Sequence, residues 1–309
     1  MEAAQGVIGL QKAAETFTEV VSDALSGIAP DIGLHLPSID ASMYDSPSGT
    51  LYEVGEMGYT MVEAGCYYNG TLYGVKAEEF YSSALSSGLK VAGIYVNKFY
   101  EKPIANPAEP TDGDEDEIAN GKEEKEPCIL SDEDLRWWEK VVESAVAMKC
   151  RYITTPSYPI ESNAKTISDY AQYFSFIGKM AVEKGITFCY HPTRNELKQQ
   201  NGVSIFDQLA EATAQAGVEF QIDTLEAIEA ELDICALIKR YGKRIASLHL
   251  HDAAIVTESG RIDFDKIVRQ ARESEVKDIF IAVSNFPLPP QNCVERSLRN
   301  VELLDSLKF

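Results

Sequence analysis

The chain carries four histidines, and each falls at or near the end of a short apolar run: His35, His191, His249 and His251. Carboxylates stand at comparable points, namely Glu63, Glu196, Asp223 and Asp252. Neutral imidazole with carboxylate is a donor set that suits divalent ions of the Zn, Mn or Co type. The same groups also do general acid–base work. Either chemistry requires residues scattered from position 35 to position 252 to meet at one place. A single histidine at such a position is as readily an ordinary hydrogen-bonded polar group, so the elements that carry these residues decide the matter.

The most informative stretch is Ile245-Ala-Ser-Leu-His-Leu-His-Asp252. As a strand it would put Ser247, His249 and His251 on one face and Ala246, Leu248 and Leu250 on the other. A basic segment precedes it, with Gly242 placed to stop a helix. This order of helix, glycine, apolar strand and polar strand end recurs along the chain. It predicts strands at 31–36, 58–63, 89–96, 150–155, 186–191, 218–223, 245–252 and 278–283. Helices are expected around 49–57, 77–87, 163–184, 203–216, 231–241 and 291–307, with others opening at Ser131 and after Asp263. Gly88, Gly185 and Gly217 mark helix ends. The strand starts recur every 27 to 36 residues or so, about one βα unit, with one longer gap. Helix-to-strand links are short and strand-to-helix links are long and polar. That asymmetry fits an α/β fold of the (β/α)8 TIM-barrel type, whose site-forming loops leave the C-terminal ends of the strands. A doubly wound sheet needs no eight units, and no glycine-rich phosphate loop follows the first strand.

Two segments lie outside this repeat. Residues 1–30 carry apolar residues at helical spacing (Val7, Leu10, Phe17, Val20, Val21, Leu25) and are expected to pack as a helix on the single barrel domain, 31–309. Residues 97–130 hold Pro103, Pro107, Pro110 and Pro127 among many acids. That composition cannot support a packed core and reads as an acidic loop insertion after the third strand, placed where it could cover a site.

The whole chain has 49 acidic against 28 basic residues, a formal charge of −21. This balance disfavours nucleic acid as a partner. No apolar run reaches the length of a membrane span and no secretory signal pattern opens the chain, so no membrane association is expected. The six cysteines have no CxxC spacing and read as free thiols of a reducing, cytoplasmic compartment.

The sequence resembles the xylose-isomerase-like TIM barrels that include sugar phosphate isomerases and epimerases. The motifs that carry the resemblance are Gly58-Tyr-Thr-Met-Val-Glu63, Tyr190-His-Pro-Thr-Arg-Asn-Glu-Leu197, Ile222-Asp-Thr224, Tyr241-Gly-Lys-Arg-Ile245, Leu248-His-Leu-His-Asp252 and Gly260-Arg-Ile-Asp-Phe264. It implies a small-molecule carbohydrate substrate and one divalent metal (Zn, Mn or Co) at the barrel mouth. Asp223 and His249 would be ligands, with His191 or Glu196 serving from the fifth strand. His191, Glu196 and His251 would move protons, while Glu63, Tyr95, Arg194 and His35 would bind substrate. Ile281-Ala-Val-Ser-Asn285 departs from the pattern, because the family's eighth-strand Glu is replaced by Ala282 or Ser284. That departure opens an alternative: a carbohydrate-binding or regulatory barrel without metal chemistry. Assembly into a homo-oligomer is compatible with either reading.

Overall fold

In the computed structural model, the described residues are 31–98, 130–156, 158, 160–276 and 278–307. Eight parallel strands close into a barrel: β1 (Ile32–His35), β2 (Met61–Ala64), β6 (Lys90–Tyr95), β7 (Tyr152–Pro156), β8 (Thr187–His191), β9 (Val218–Asp223), β10 (Ile245–His251) and β11 (Asp278–Ala282). Neighbours around the ring are neighbours in the chain, and β11 closes onto β1. All eight expected strands are present. The expected helix N-terminal to the barrel lies outside the described residues. So does the acidic segment, apart from Asn97, Lys98 and Leu130. No helix among the described residues is long and apolar enough to cross a membrane.

Local chemistry explains most boundaries. Gly88, Gly185 and Gly217 take positive φ (75°, 75° and 68°), the left-handed turn that ends a helix before the next strand. Gly242 differs from expectation: at φ −46° it stays right-handed and opens a 3-10 turn, Gly242–Arg244. A Cβ there would lie 2.6 Å from the Ser274 Cβ, so the small residue serves close packing instead of a helix stop. β2 starts three residues later than expected, because Gly58 (φ 109°) caps the preceding helix Pro47–Met57. A three-stranded antiparallel sheet follows β2, formed by β3 (Tyr67–Tyr68), β4 (Thr71–Leu72) and β5 (Val75–Lys76). Two-residue strands leave no alternation for a sequence reading to detect. Ser131 caps the helix Asp132–Ala147 as expected, accepting from the Asp134 N–H. Trp138 of that helix is fully buried, and its indole N–H donates to the Tyr173 hydroxyl at 2.8 Å.

The main core fills the space between sheet and helices. A smaller cluster, Met61, Ala92, Tyr152, Cys189, Ala246 and Phe280, plugs the barrel interior. Two strand glycines make room for its rings. A Cβ on Gly33 would meet Phe280 ring carbons at 2.3 and 2.4 Å, and one on Gly93 would meet the Tyr152 ring at 2.3 and 2.5 Å. Gly33→Ala is therefore expected to destabilise the fold by about 1 to 3 kcal/mol through overpacking, read as a lower urea midpoint with an unchanged m-value.

Register sets the site. Paired across the sheet are His35 with Glu63, His249 with Asp223, and His251 with Ala282. All these pairs lie at the C-terminal ends of their strands, so the ring brings residues far apart in sequence to one mouth.

Candidate active site and metal centre at the barrel mouth

Glu63 is the hub. It is completely buried, and its Oε2 accepts from His35 Nδ1 at 2.6 Å and from His249 Nε2 at 2.9 Å. Its Oε1 accepts from Gln221 Nε2 at 2.7 Å. Burial alone would raise this carboxyl, but the facing imidazoles of His249 and His35 outweigh it and hold Glu63 below the usual carboxylate range. Burial, with His35 close by, pushes His249 down to about 4. At neutral pH the pair is therefore an ionised carboxylate and a neutral imidazole.

These bonds fix tautomers. Gln221 donates through Nε2 to Glu63 and to Ser247 Oγ (2.9 Å), so its Oε1 must accept from His191 Nδ1–H at 3.0 Å. That leaves the His191 Nε2 lone pair free. His249 donates through Nε2, leaving its Nδ1 lone pair 3.9 Å from Asp223 Oδ2. One donor atom each from His191, Asp223 and His249 lies within 4.8 Å of the others. Imidazoles whose N–H is committed to a carboxylate or amide oxygen are what a divalent ion requires of its histidine ligands. The donor set thus fits such an ion, with three protein groups and none from β11. His35, Glu63 and His249 also cluster within that range, but their donors are already spent on Glu63 Oε2.

Asp223 serves a second partner. Its Oδ1 accepts from the Leu225 and Glu226 N–H groups and caps the helix Thr224–Glu229. Its Oδ2 accepts from His251 Nδ1 at 2.8 Å. Burial would raise Asp223, but His251 outweighs it and the carboxyl lies below its usual range. Burial would lower His251, and the Asp223 carboxylate outweighs that, so His251 is raised above 6.5. The other ring nitrogen of His251 lies 2.7 Å from Ser284 Oγ. A cavity of about 370 Å³ opens over these groups, lined among others by His35, Tyr95, His191, His249, His251 and Phe286. Tyr95 sets its ring against His35, His191 and His249, with centroids 4.7, 5.7 and 6.2 Å away. Burial first, and then nearby carboxylates, keep its phenol protonated. A larger groove of about 840 Å³ lies between the outer helices Ala164–Val182 and Ile205–Ala212, but among the described residues its only charged lining groups are Lys179 and Glu211. Volume alone does not mark the site.

The structure moves two expected site residues away from the mouth cluster. Glu196, expected to move protons, is buried in a capping box, where its Oε2 accepts from the Thr193 N–H (2.7 Å) and hydroxyl (2.5 Å). Its geometry serves the turn Arg194–Leu197. Glu196→Ala is expected to cost about 1 kcal/mol of stability and to leave metal affinity unchanged, by denaturant titration and calorimetry respectively. Arg194, expected to bind substrate, is half-exposed and held away from the cavity by ion pairs to Glu226 and Glu229. Asp252 accepts from the Ala253 and Ser259 N–H groups and shapes its own loop. His35, Tyr95, His191, Asp223, His249 and His251 do come together. Glu63, expected to shape the pocket, is buried among them as the shared acceptor of His35 and His249. Gln221 escaped the sequence reading of the site, and Ser284 entered it only as one of two residues standing in for the eighth-strand Glu. Gln221 had a usable signal, since it stands two residues before Asp223 and so shares its strand face.

The chain matches the model of the xylose isomerase-like TIM barrel family over residues 51–299. None of the curated proteins matches its sequence. Among solved structures, two sugar phosphate isomerases/epimerases from Parabacteroides distasonis ATCC 8503 each superpose with a TM-score of 0.74. One is 22% identical and the alignment covers 90% of this chain and 99% of that one. The other is 17% identical, with 91% and 98% covered. An L-ribulose 3-epimerase superposes with a TM-score of 0.68 at 13% identity, covering 90% and 95%. At these identities the likeness is one of fold.

Proposed function

The chain belongs to the xylose isomerase-like TIM barrel family, and on that premise we propose that it is an isomerase or epimerase of a small sugar, sugar phosphate or related polyol. The observation that carries this reading is a pair of carboxylate-backed imidazoles, His35 on Glu63 and His251 on Asp223, lining one cavity. In each, a carboxylate takes Nδ1–H and points Nε2 away from itself. Such groups suit removal of a proton from a carbon next to a carbonyl and its return to the same or a neighbouring carbon. The cavity volume lies within the range of small-ligand sites. His191, Asp223 and His249 would hold a divalent ion, which when bound polarises the substrate's oxygens as a Lewis acid. Tyr95 and Phe286 supply aromatic faces against the apolar side of a sugar ring.

A second reading, carbohydrate binding without turnover, draws on β11. Ala282 or Ser284 stands where the resemblance calls for a Glu, which removes one acidic ligand and base. The test is proton exchange in D2O with Mn2+ present, using a panel of free and phosphorylated pentuloses and hexuloses followed by NMR. We expect deuterium at a carbon adjacent to the carbonyl of at least one sugar, slowed at least about a hundredfold in His251→Gln. A panel in which sugars bind and none exchanges would favour the second reading.

A further inference from the structure

We propose that Ser284, His251 and Asp223 form a nucleophilic triad, giving the barrel mouth an acyl-transfer activity towards small esters in addition to any isomerase chemistry. The geometry has three parts. Ser284 Oγ is 2.7 Å from His251 Nε2, and His251 Nδ1 is 2.8 Å from Asp223 Oδ2. Both contacts meet the distance expected of nucleophile on base and base on orienting acid. Asp223 is itself immobilised, because its other oxygen accepts two backbone N–H groups of the helix it caps. Ser284 sits exposed on the loop after β11, open to the same cavity. With Nδ1 committed to Asp223, Nε2 is the ring nitrogen that faces the serine hydroxyl. The arrangement is recognised by these roles and not by sequence motif.

The chemistry balances with an ester and water alone. Ser284 Oγ bonds to the ester carbonyl carbon while its proton passes to His251 Nε2, and the carbonyl oxygen becomes the oxyanion. The Tyr95 phenol, which lines the same cavity and stays protonated, is a donor for it. The C–O bond to the alcohol then breaks and the alcohol leaves with the proton held by His251. Water attacks the acyl-serine, His251 takes its proton, and the acid departs as Ser284 regains its hydrogen. The modest cavity limits the acyl group to a short chain. His249 Nδ1 approaches the same Asp223 Oδ2, so an ion bound there would compete with the triad for that oxygen.

The test is covalent labelling, which needs neither sugar nor turnover and so stands or falls apart from the isomerase reading. The full chain, as purified and again after chelation, is incubated with a fluorophosphonate and mapped by mass spectrometry. We expect an adduct on Ser284 in at least one sample, none in Ser284→Ala, and labelling at least about a hundredfold slower in His251→Gln. Hydrolysis of p-nitrophenyl acetate should follow the same order. Ser284→Ala should keep the wild-type unfolding midpoint, which separates loss of the nucleophile from loss of fold. No adduct on Ser284 in either sample, or equal labelling in His251→Gln, would overturn the proposal.

Discussion

Glu63→Ala should lower the unfolding free energy by about 3 to 5 kcal/mol at pH 7, the largest stability effect expected of any mouth residue. The carboxylate is wholly buried and accepts from three side chains. Its removal leaves the N–H groups of His35, His249 and Gln221 facing a void, and each such orphaned donor costs about 1 to 3 kcal/mol. The sign of the pH dependence follows from the two shifted groups. Glu63 is held below its ordinary 4.5, so its contribution is present above that value and is lost as pH falls through the folded pKa. His249 is lowered from 6.5 to about 4, so between those values the unfolded chain binds the proton first and stability again falls with acid. Urea titrations in chelator should show wild-type stability falling from about pH 6.5 towards pH 4, a range in which the gain from the raised His251 is already complete. The gap to Glu63→Ala should stay wide over that range and narrow only below about pH 4.5. A gap that widens in acid would mean that Glu63 is protonated in the native state.

Asp223→Asn should weaken Mn2+ or Zn2+ binding at least about a hundredfold, measured by calorimetry on chelated and reloaded protein. Asparagine is chosen because it can still cap the helix Thr224–Glu229, so the change removes the charge and spares the cap. A smaller loss, about tenfold to a hundredfold, is expected for Gln221→Met, because nothing would then hold His191 with its Nε2 lone pair free. Equal affinity in both variants and wild type would place any bound ion elsewhere on this acidic chain.

The barrel was legible because each strand is an apolar run closed by polar groups, and because Gly88, Gly185 and Gly217 mark the helix ends that precede strands. Strand alternation also placed His249 and His251 on one face. Partnership was not legible, since it depends on register and ring closure. Glu63 could be read as a group at the mouth, but only the pairing of β1 with β2 and the reach across to β9 and β10 make it the acceptor for His35, Gln221 and His249. Glu196 had a second reading in the sequence: Thr193 with an acid three residues later is a capping-box pattern, and that is the role its hydrogen bonds show. Arg194 was beyond reach, because the acids that hold it, Glu226 and Glu229, lie on the next βα unit. Ser284 was legible only as a replacement for the eighth-strand Glu, and its contact with His251 depends on the pairing of β10 with β11.

His191, Asp223 and His249 converge as one donor set at the barrel mouth. The most direct measurement of that convergence is an anomalous difference map from crystals soaked in Mn2+ or Zn2+. A single strong peak is expected within coordinating distance of His191 Nε2, Asp223 and His249 Nδ1. Crystals that take up the ion only elsewhere, with His249 and His191 still held by Glu63 and Gln221 and nothing between them and Asp223, would contradict it.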